Sequence, residues 1–253
     1  HTRVIATSPK VYIPGALYMK FDEHHALEMA RDIVRAAIDA YPERGEIHIP
    51  QVTSDLVPGF SHEYIGYMQG GMMRGSFRPL NDAIMAGRIR GVAGVVGCNN
   101  PRVCHDLAHN TVVKEFLRND VLVVQTGCGA LANAKYGLLQ GEALDYAGPG
   151  LREVCEAIGI PPVLHMGSCV DNSRILTVLT QMANEGGLGD DIADMPVVGL
   201  APEWMSEKAL AIGTYCAASG AYVLFGVTSP VEAAPEVQRI MTEVWESQVG
   251  GKL

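Results

Sequence analysis

Three cysteines, Cys98, Cys128 and Cys169, each sit at a glycine-containing break that follows a short apolar run. The breaks read VGCN, TGCG and MGSC. Glycine lets the backbone turn sharply, and the dipole at a helix N-terminus favours the ionised form of a nearby thiol. Three thiolates that meet at one place suit a soft metal or an iron–sulfur cluster.

Alternating strands and helices must position these cysteines. The predicted strands are 91–97, 121–124, 162–166, 196–200 and 221–227, and the helices that follow them include 107–118, 130–139, 174–184, 202–219 and 235–247. This alternation predicts an α/β fold with an open, mostly parallel, doubly wound (Rossmann-like) sheet and helices on both faces. Ligands of such sheets bind outside the carboxyl ends of the strands, where all three cysteines are expected.

We interpret the chain as two regions that meet near residue 90. Residues 1–90 hold a leading segment and helices that belong to a preceding domain or its linker. Residues 91–253 form the Rossmann-like domain that carries the three cysteines. Asp22 and Ser61 are the candidate N-caps of helices in the first region.

Composition narrows the functional classes. The 253 residues are 48% hydrophobic and 19% charged, which suits a large buried core. The net charge of −9 argues against a nucleic-acid partner, and no apolar run is long enough to predict a membrane span. Six cysteines without a signal peptide indicate a reducing, cytoplasmic location rather than disulfides, with peripheral membrane association left open.

Two further residues are candidates for chemistry at the same sheet edge. Lys208 follows the fourth predicted strand within two helical turns, so it either holds an anionic or polarised substrate or is a solvated helix lysine. His165 directly precedes the third cysteine break and is either a hydrogen-bonding partner of a metal ligand or a core histidine. Cys155 and Cys216 are predicted to be core residues.

At these residues the sequence resembles the anaerobic nickel–iron carbon monoxide dehydrogenases. The matching segments are GCNNP at 97–101, KEFL at 114–117, NDVLV at 119–123, TGC at 126–128, PPVLHMGSCVDNSR at 161–174 and APEWMSEKA at 201–209. Their order and spacing make the match specific over roughly residues 90 to 226.

The resemblance implies the reversible oxidation of CO with water to CO2, two protons and two electrons. The family performs it at a nickel–iron–sulfur cluster held by one histidine and five cysteines. Cys98 and Cys128 look like iron ligands, and Cys169 looks like the thiolate that binds nickel. Lys208 resembles the lysine that hydrogen-bonds the carboxylate formed from CO and assists proton transfer.

The resemblance also implies partners. Electrons leave the family's cluster through further [4Fe-4S] clusters, which this chain does not bind, to a ferredoxin-like acceptor. The full-length family members are homodimers, and some associate with acetyl-CoA synthase.

The match departs from the family in one respect. The family's histidine ligand and two more cluster cysteines lie upstream of His1, and residues 1–97 contain no cysteine. The resemblance therefore implies that this chain supplies about half of the cluster ligands and is inactive alone. Two alternatives stay open: a hybrid-cluster protein (hydroxylamine-reductase-like), and a non-catalytic folding or dimerisation domain.

Overall fold

The computed structural model describes residues 4–7, 12–227 and 235–239. The chain separates into two compact units, residues 1–53 and 54–253. The elements of the first unit are the paired parallel strands β1 (Ile5–Ala6) and β2 (Leu17–Tyr18) and the helix α1 (Ala26–Ala40). A 3-10 turn leads into α1, and the Asp22 side chain accepts a hydrogen bond there from the backbone N–H of His24, which confirms the predicted cap.

The second unit holds the remaining elements. Its strands are β3 (Gly91–Val95), β4 (Val121–Gln125), β5 (Val163–His165), β6 (Val197–Ala201) and β7 (Tyr222–Phe225). Its helices are α2 (His62–Gly70), α3 (Arg78–Met85), α4 (Leu107–Arg118), α5 (Gly127–Ala134), α6 (Pro149–Ile158), α7 (Asn172–Glu185), α8 (Glu207–Ala218) and α9 (Pro235–Arg239). The rest of the helix predicted over 235–247 lies outside the described residues.

The five strands form one parallel sheet in the order β5-β4-β3-β6-β7. Central β3 pairs on one side with β4, where Val92 is opposite Leu122, and on the other side with β6, where Val92 is opposite Val197. The chain winds outward from β3 to β5 and then returns across the centre to β6 and β7. This arrangement confirms the predicted α/β fold with an open, doubly wound parallel sheet.

The core surrounds the two central strands. All five residues of β3 are buried, as near-continuous apolar strands covered on both faces should be. Helices α2 and α3 contribute Ile65 and Leu80 to the same core, and Phe77, the N-cap residue of α3, also packs there. Residues 54–90 belong to the second compact unit. The domain boundary predicted near residue 90 stays a prediction.

Two helices, α5 and α8, begin or end at least three residues from their predicted limits. The helix predicted to begin at residue 202 begins at Glu207, because the preceding residues are held by tertiary contacts of Glu203 and Trp204. Helix α5 begins at Gly127, so Cys128 lies in its first turn, and it ends at Ala134 rather than at residue 139. Within the described part of the chain, no helix is long and apolar enough to cross a membrane.

Candidate metal centre

Backbone hydrogen bonds join the three cysteine turns at the carboxyl edge of the sheet. The N–H of Gly129 donates to the carbonyl of Gly97 at 3.2 Å, which links the first turn to the second. The N–H of Gly127 donates to the carbonyl of Gly167 at 3.0 Å, which links the second turn to the third. The turns after β3, β4 and β5 therefore form one continuous hydrogen-bonded surface.

Cys98, Cys128, Cys169 and Lys208 all line one cavity of about 370 Å³. Cys98 and Cys169 are half-buried and Cys128 is exposed. Among the described residues, no three His, Cys, Asp or Glu side chains group closely enough to hold a single ion. Cysteine thiolates are the residues that usually hold iron–sulfur clusters. The donor set therefore fits part of an iron–sulfur-type centre.

Lys208 lies in the first turn of α8, and its Nζ is 2.6 Å from the Sγ of Cys169. The hydrogen bond to Cys169 and the negative charge of its thiolate, with smaller contributions from Cys98 and Cys128, raise the pKa of the lysine. Lys208 therefore places its positive charge next to Cys169 and close enough to Cys98 and Cys128 to interact with their charges.

The Cys98 thiol contacts the segment that leads into α8. Burial alone would raise its pKa, but hydrogen bonds from the Ser206 hydroxyl and from the N–H groups of Ser206 and Met205 outweigh that effect, and the pKa is lowered. The Ser206 Oγ is 3.6 Å from the Cys98 Sγ. This environment favours the thiolate, the form in which cysteine binds metals.

The turn before Cys169 is fixed by polar contacts. The His165 Nδ1 accepts the N–H of Gly167 at 3.1 Å, so the half-buried imidazole holds the turn backbone. Asp171 accepts the N–H of Ser168 at 2.8 Å and the Nε of Arg174 at 3.0 Å. The Arg174 hydrogen bond, followed by that from Ser168, lowers the pKa of Asp171 and keeps the carboxylate charged.

Sequence reasoning missed two buried residues beneath the Cys98 turn. The fully buried His109 on α4 places its Nε2 2.8 Å from the carbonyl oxygen of Cys98. Glu203 is also fully buried, and its carboxylate accepts three N–H groups. The available signal was a single acidic residue in the otherwise apolar APEW segment, because a charge at such a position needs partners.

Of the other three cysteines, only Cys216 lines this cavity. It is half-buried rather than a fully buried core residue as predicted. Cys155 is 1% exposed in the core, as predicted, and burial, followed by the nearby charge of Glu156, raises its pKa to about 12. Cys104 is exposed, and the neighbouring His105 approaches Asp106 at 3.3 Å.

Comparison with known proteins identifies the family to which this chain is similar. The Prismane/CO dehydrogenase family matches residues 1–253. Carbon monoxide dehydrogenase 1 of Methanosarcina mazei is 47% identical over 252 residues, which cover 99% of this chain and 39% of that protein. The carbon monoxide dehydrogenase/acetyl-CoA synthase subunit beta of Moorella thermoacetica is 40% identical over 265 residues, with 99% and 39% covered.

A solved structure agrees with the sequence relatives. An as-isolated, nickel-free carbon monoxide dehydrogenase from Thermococcus sp. AM4 matches 100% of this chain and 39% of its own chain, with a TM-score of 0.85 and 50% identity. The chain therefore spans about two fifths of the length of these relatives. With matching motifs, matching fold and matching sequence over its whole length, the chain belongs to the Prismane/CO dehydrogenase family.

Proposed function

We propose that the protein functions as a carbon monoxide dehydrogenase, which reversibly oxidises CO with water to CO2, two protons and two electrons. The observation that carries the proposal is that Cys98, Cys128, Cys169 and Lys208 line one cavity. The 47% identity to the Methanosarcina mazei enzyme supports the same assignment.

In this proposal Cys98, Cys128 and Cys169 hold part of a nickel–iron–sulfur cluster, with Cys169 as the nickel ligand. The donor set suits it, because thiolates are the ligands that iron–sulfur centres use. When bound, the cluster supplies the metal chemistry that oxidises CO. These three cysteines form half of the family's six-ligand set, so the 253-residue chain alone is expected to hold no complete cluster and to show no turnover.

Lys208 is the proposed charge-stabilising residue. Its Nζ is 2.6 Å from the Sγ of Cys169, the proposed nickel ligand, so its ammonium group would stabilise negative charge that develops on a substrate oxygen nearby. The same ammonium group would donate a hydrogen bond to that oxygen and assist proton transfer.

Partners and location follow from the same assignment. A ferredoxin-like acceptor takes the electrons, and the full-length protein forms a homodimer in which further [4Fe-4S] clusters are bound outside this chain. The Moorella thermoacetica relative is a carbon monoxide dehydrogenase/acetyl-CoA synthase subunit beta, which supports an association with acetyl-CoA synthase here. A reducing cytoplasm suits the six free cysteines.

The test uses the full-length protein loaded anaerobically with iron, sulfide and nickel. CO-dependent reduction of a low-potential dye is expected in the parent. Lys208→Ala should lower the rate by roughly 100-fold or more while metal content stays unchanged, and Cys169→Ala should lose nickel. Lys20→Ala, which removes an exposed lysine of the first unit, is the control. Metal-loaded parent protein that does not oxidise CO would contradict the proposal.

A further inference from the structure

Glu203 is a buried carboxylate with an unusual set of partners. It lies in the segment 202–206 between β6 and α8 and is 0% exposed. Its Oε1 accepts the N–H of Ala108 at 3.0 Å, and its Oε2 accepts the N–H of Asp106 and the Nδ2 of Asn99, both at 3.1 Å. All three partners are N–H donors, which suits a carboxylate and not an amide.

Two of these donors belong to the start of α4. The N-cap residue, Asp106, makes no capping hydrogen bond with its own side chain, because its backbone is left-handed (φ +65°) and its carboxylate binds Lys135 and Asn99. Glu203 supplies the cap from another part of the chain. Its negative charge also lies at the positive end of the helix dipole, which offsets the cost of burial.

The third donor connects Glu203 to the first cysteine turn. Asn99 follows Cys98 directly, and the next residue, Asn100, donates from its Nδ2 to the carbonyl of Trp204 at 2.9 Å. From the other side, the α4 helix that Glu203 caps presents His109 to the carbonyl of Cys98. The Cys98 turn is therefore held on one side by the hydrogen bond from Asn99 to Glu203 and on the other by His109 of the helix that Glu203 caps.

The same segment runs on into the groups that contact the thiols. Three residues after Glu203, Ser206 approaches the Sγ of Cys98, and Lys208 contacts the Sγ of Cys169. Glu203 is thus the buried point that ties the Cys98 turn, the start of α4 and the segment before Lys208 together.

We propose that Glu203 is a positioning residue of the metal centre, whose carboxylate sets the distance between the Cys98 turn and the Ser206–Lys208 segment. Glu203 does not itself line the cavity, but it contacts Asn99, which does, so it acts on the site through Asn99, α4 and its own segment. The inference rests on the proposed function only in that the positioned cysteine is taken as a cluster ligand.

The first test measures backbone hydrogen exchange in the metal-free full-length protein. Glu203→Gln puts an amide N–H2 against N–H donors, so peptides covering 103–110 and 203–210 should exchange at least tenfold faster, while the β4 peptide should not change. Glu115→Gln is the matched control, because Glu115 is an exposed residue on the same helix. Unchanged exchange would overturn the inference, and so would faster exchange spread equally to β4, which would indicate general destabilisation.

The second test reads the loaded protein by electron paramagnetic resonance. Glu203→Gln should shift the g values of the cluster signal at parent-like iron content, because the Cys98 ligand is held differently. Asn99→Ala removes the hydrogen bonds from the Cys98 turn to Glu203 and to Asp106 but leaves the Glu203 cap of α4 in place. It should give a smaller shift in the same direction, and it keeps the inference testable if Glu203→Gln fails to fold. A signal identical to that of the parent in both variants would overturn the inference. A parent protein without any cluster signal would contradict the proposed function instead, and the exchange experiment would then decide whether Glu203 holds the turn.

Discussion

Gly127 is the residue at which two cysteine turns touch. Its backbone is left-handed (φ +57°), and a Cβ built on it would lie 3.1 Å from the Cβ and 3.3 Å from the backbone nitrogen of Cys169. Its N–H meanwhile bonds the carbonyl of Gly167. A side chain here would both strain the backbone and push the third turn away from the second.

Gly127→Ala is therefore expected to destabilise the protein more than a substitution that causes backbone strain alone. Gly137→Ala is the matched control, because Gly137 has φ +72° with no atom within 4 Å of the added Cβ. We expect the control to lose about 1–2 kcal/mol of unfolding free energy, and Gly127→Ala to lose roughly 1 kcal/mol more. Urea unfolding measures the unfolding free energy of both variants. Equal losses would show that the structure accommodates the added methyl group near Cys169 with no further loss of stability.

Cys155 predicts a pH dependence of stability. Its pKa of about 12 in the folded chain lies above the value of about 8.5 for an unfolded thiol, so the folded state binds the proton more tightly. The resulting stabilisation is complete below about pH 8.5 and is lost as the pH rises towards 12, by about 1.4 kcal/mol per pH unit.

The measurement compares urea unfolding of the parent and Cys155→Ala at pH 8 and pH 10.5. The stability advantage of the parent should shrink by on the order of 2 kcal/mol over this range. Cys104→Ala, which removes an exposed thiol, is the control for loss of a sulfur atom. An advantage that does not change with pH would show that Cys155 reaches solvent before global unfolding.

At the scale of elements, two helices take their N-terminal caps from distant carboxylates. Glu203 caps α4, and Asp120 caps α6 by accepting the N–H of Leu151 at 2.8 Å. The N-cap position of α6 is Gly148, and the Asp120 carboxylate occupies the space that a side chain there would need. These contacts fix α4 to the segment that follows β6 and α6 to the residue that precedes β4.

Asp120→Ala should cost roughly 1–3 kcal/mol of unfolding free energy. The expected loss combines a missing helix cap with the strain of alanine at the left-handed φ of +56°. Asp120→Asn is the matched variant, because asparagine tolerates that backbone and keeps an acceptor oxygen. In thermal and urea unfolding, the stability of Asp120→Asn should be close to that of the parent. A small loss in Asp120→Ala would mean that water replaces the cap.

These caps explain which elements local sequence patterns predict and which they do not. Asp22 and Ser61 cap helices that begin immediately after them, and both were predictable from residue type. The predicted start of α8 at residue 202 is wrong. Pro202 is a favourable first-turn residue, but α8 begins at Glu207 because Glu203 instead caps α4, which is far away in sequence. A local pattern carries no information about such a partner.

The positions of the three cysteines follow from the order and direction of the strands, and that part of the site was predictable from the sequence. Parallel strands end at one edge, so breaks after three strands were expected to bring Cys98, Cys128 and Cys169 to one cavity, and the structure brings them there. The contact of Lys208 with Cys169 depends on where α8 begins and on the route of segment 202–206. The roles of His109 and Glu203 depend on burial, which residue type alone does not reveal.

At the scale of the whole molecule, the two units differ in burial. Helix α1 has no buried residue, and its apolar side chains Leu27, Val34 and Ile38 are 67%, 59% and 65% exposed. Helix α4, of similar length, fully buries Val113 and Leu117. Packing of an apolar face supplies most of a helix's stability, so the two helices should differ in how readily they open.

Hydrogen exchange of the 253-residue chain tests this difference. Amides of α1 should exchange at least 100-fold faster than those of α4, since opening α1 exposes little further apolar surface. The strand β4 provides an internal reference for the sheet core. Equal protection of α1 and α4 would contradict the burial described here.

The strand order determines when, during synthesis, the residues of the site can come together. Of the five strands in the sheet, β3 is synthesised first but lies in the middle, and its second neighbour, β6, ends only at Ala201. During synthesis, the thiols of the first three turns precede Lys208 and the Ser206 contact by a full strand and helix. A growing chain thus contains the three cysteines before Lys208 and Ser206. Under the proposed function, metal delivered at that stage would meet an incomplete site, so loading would follow the synthesis of α8.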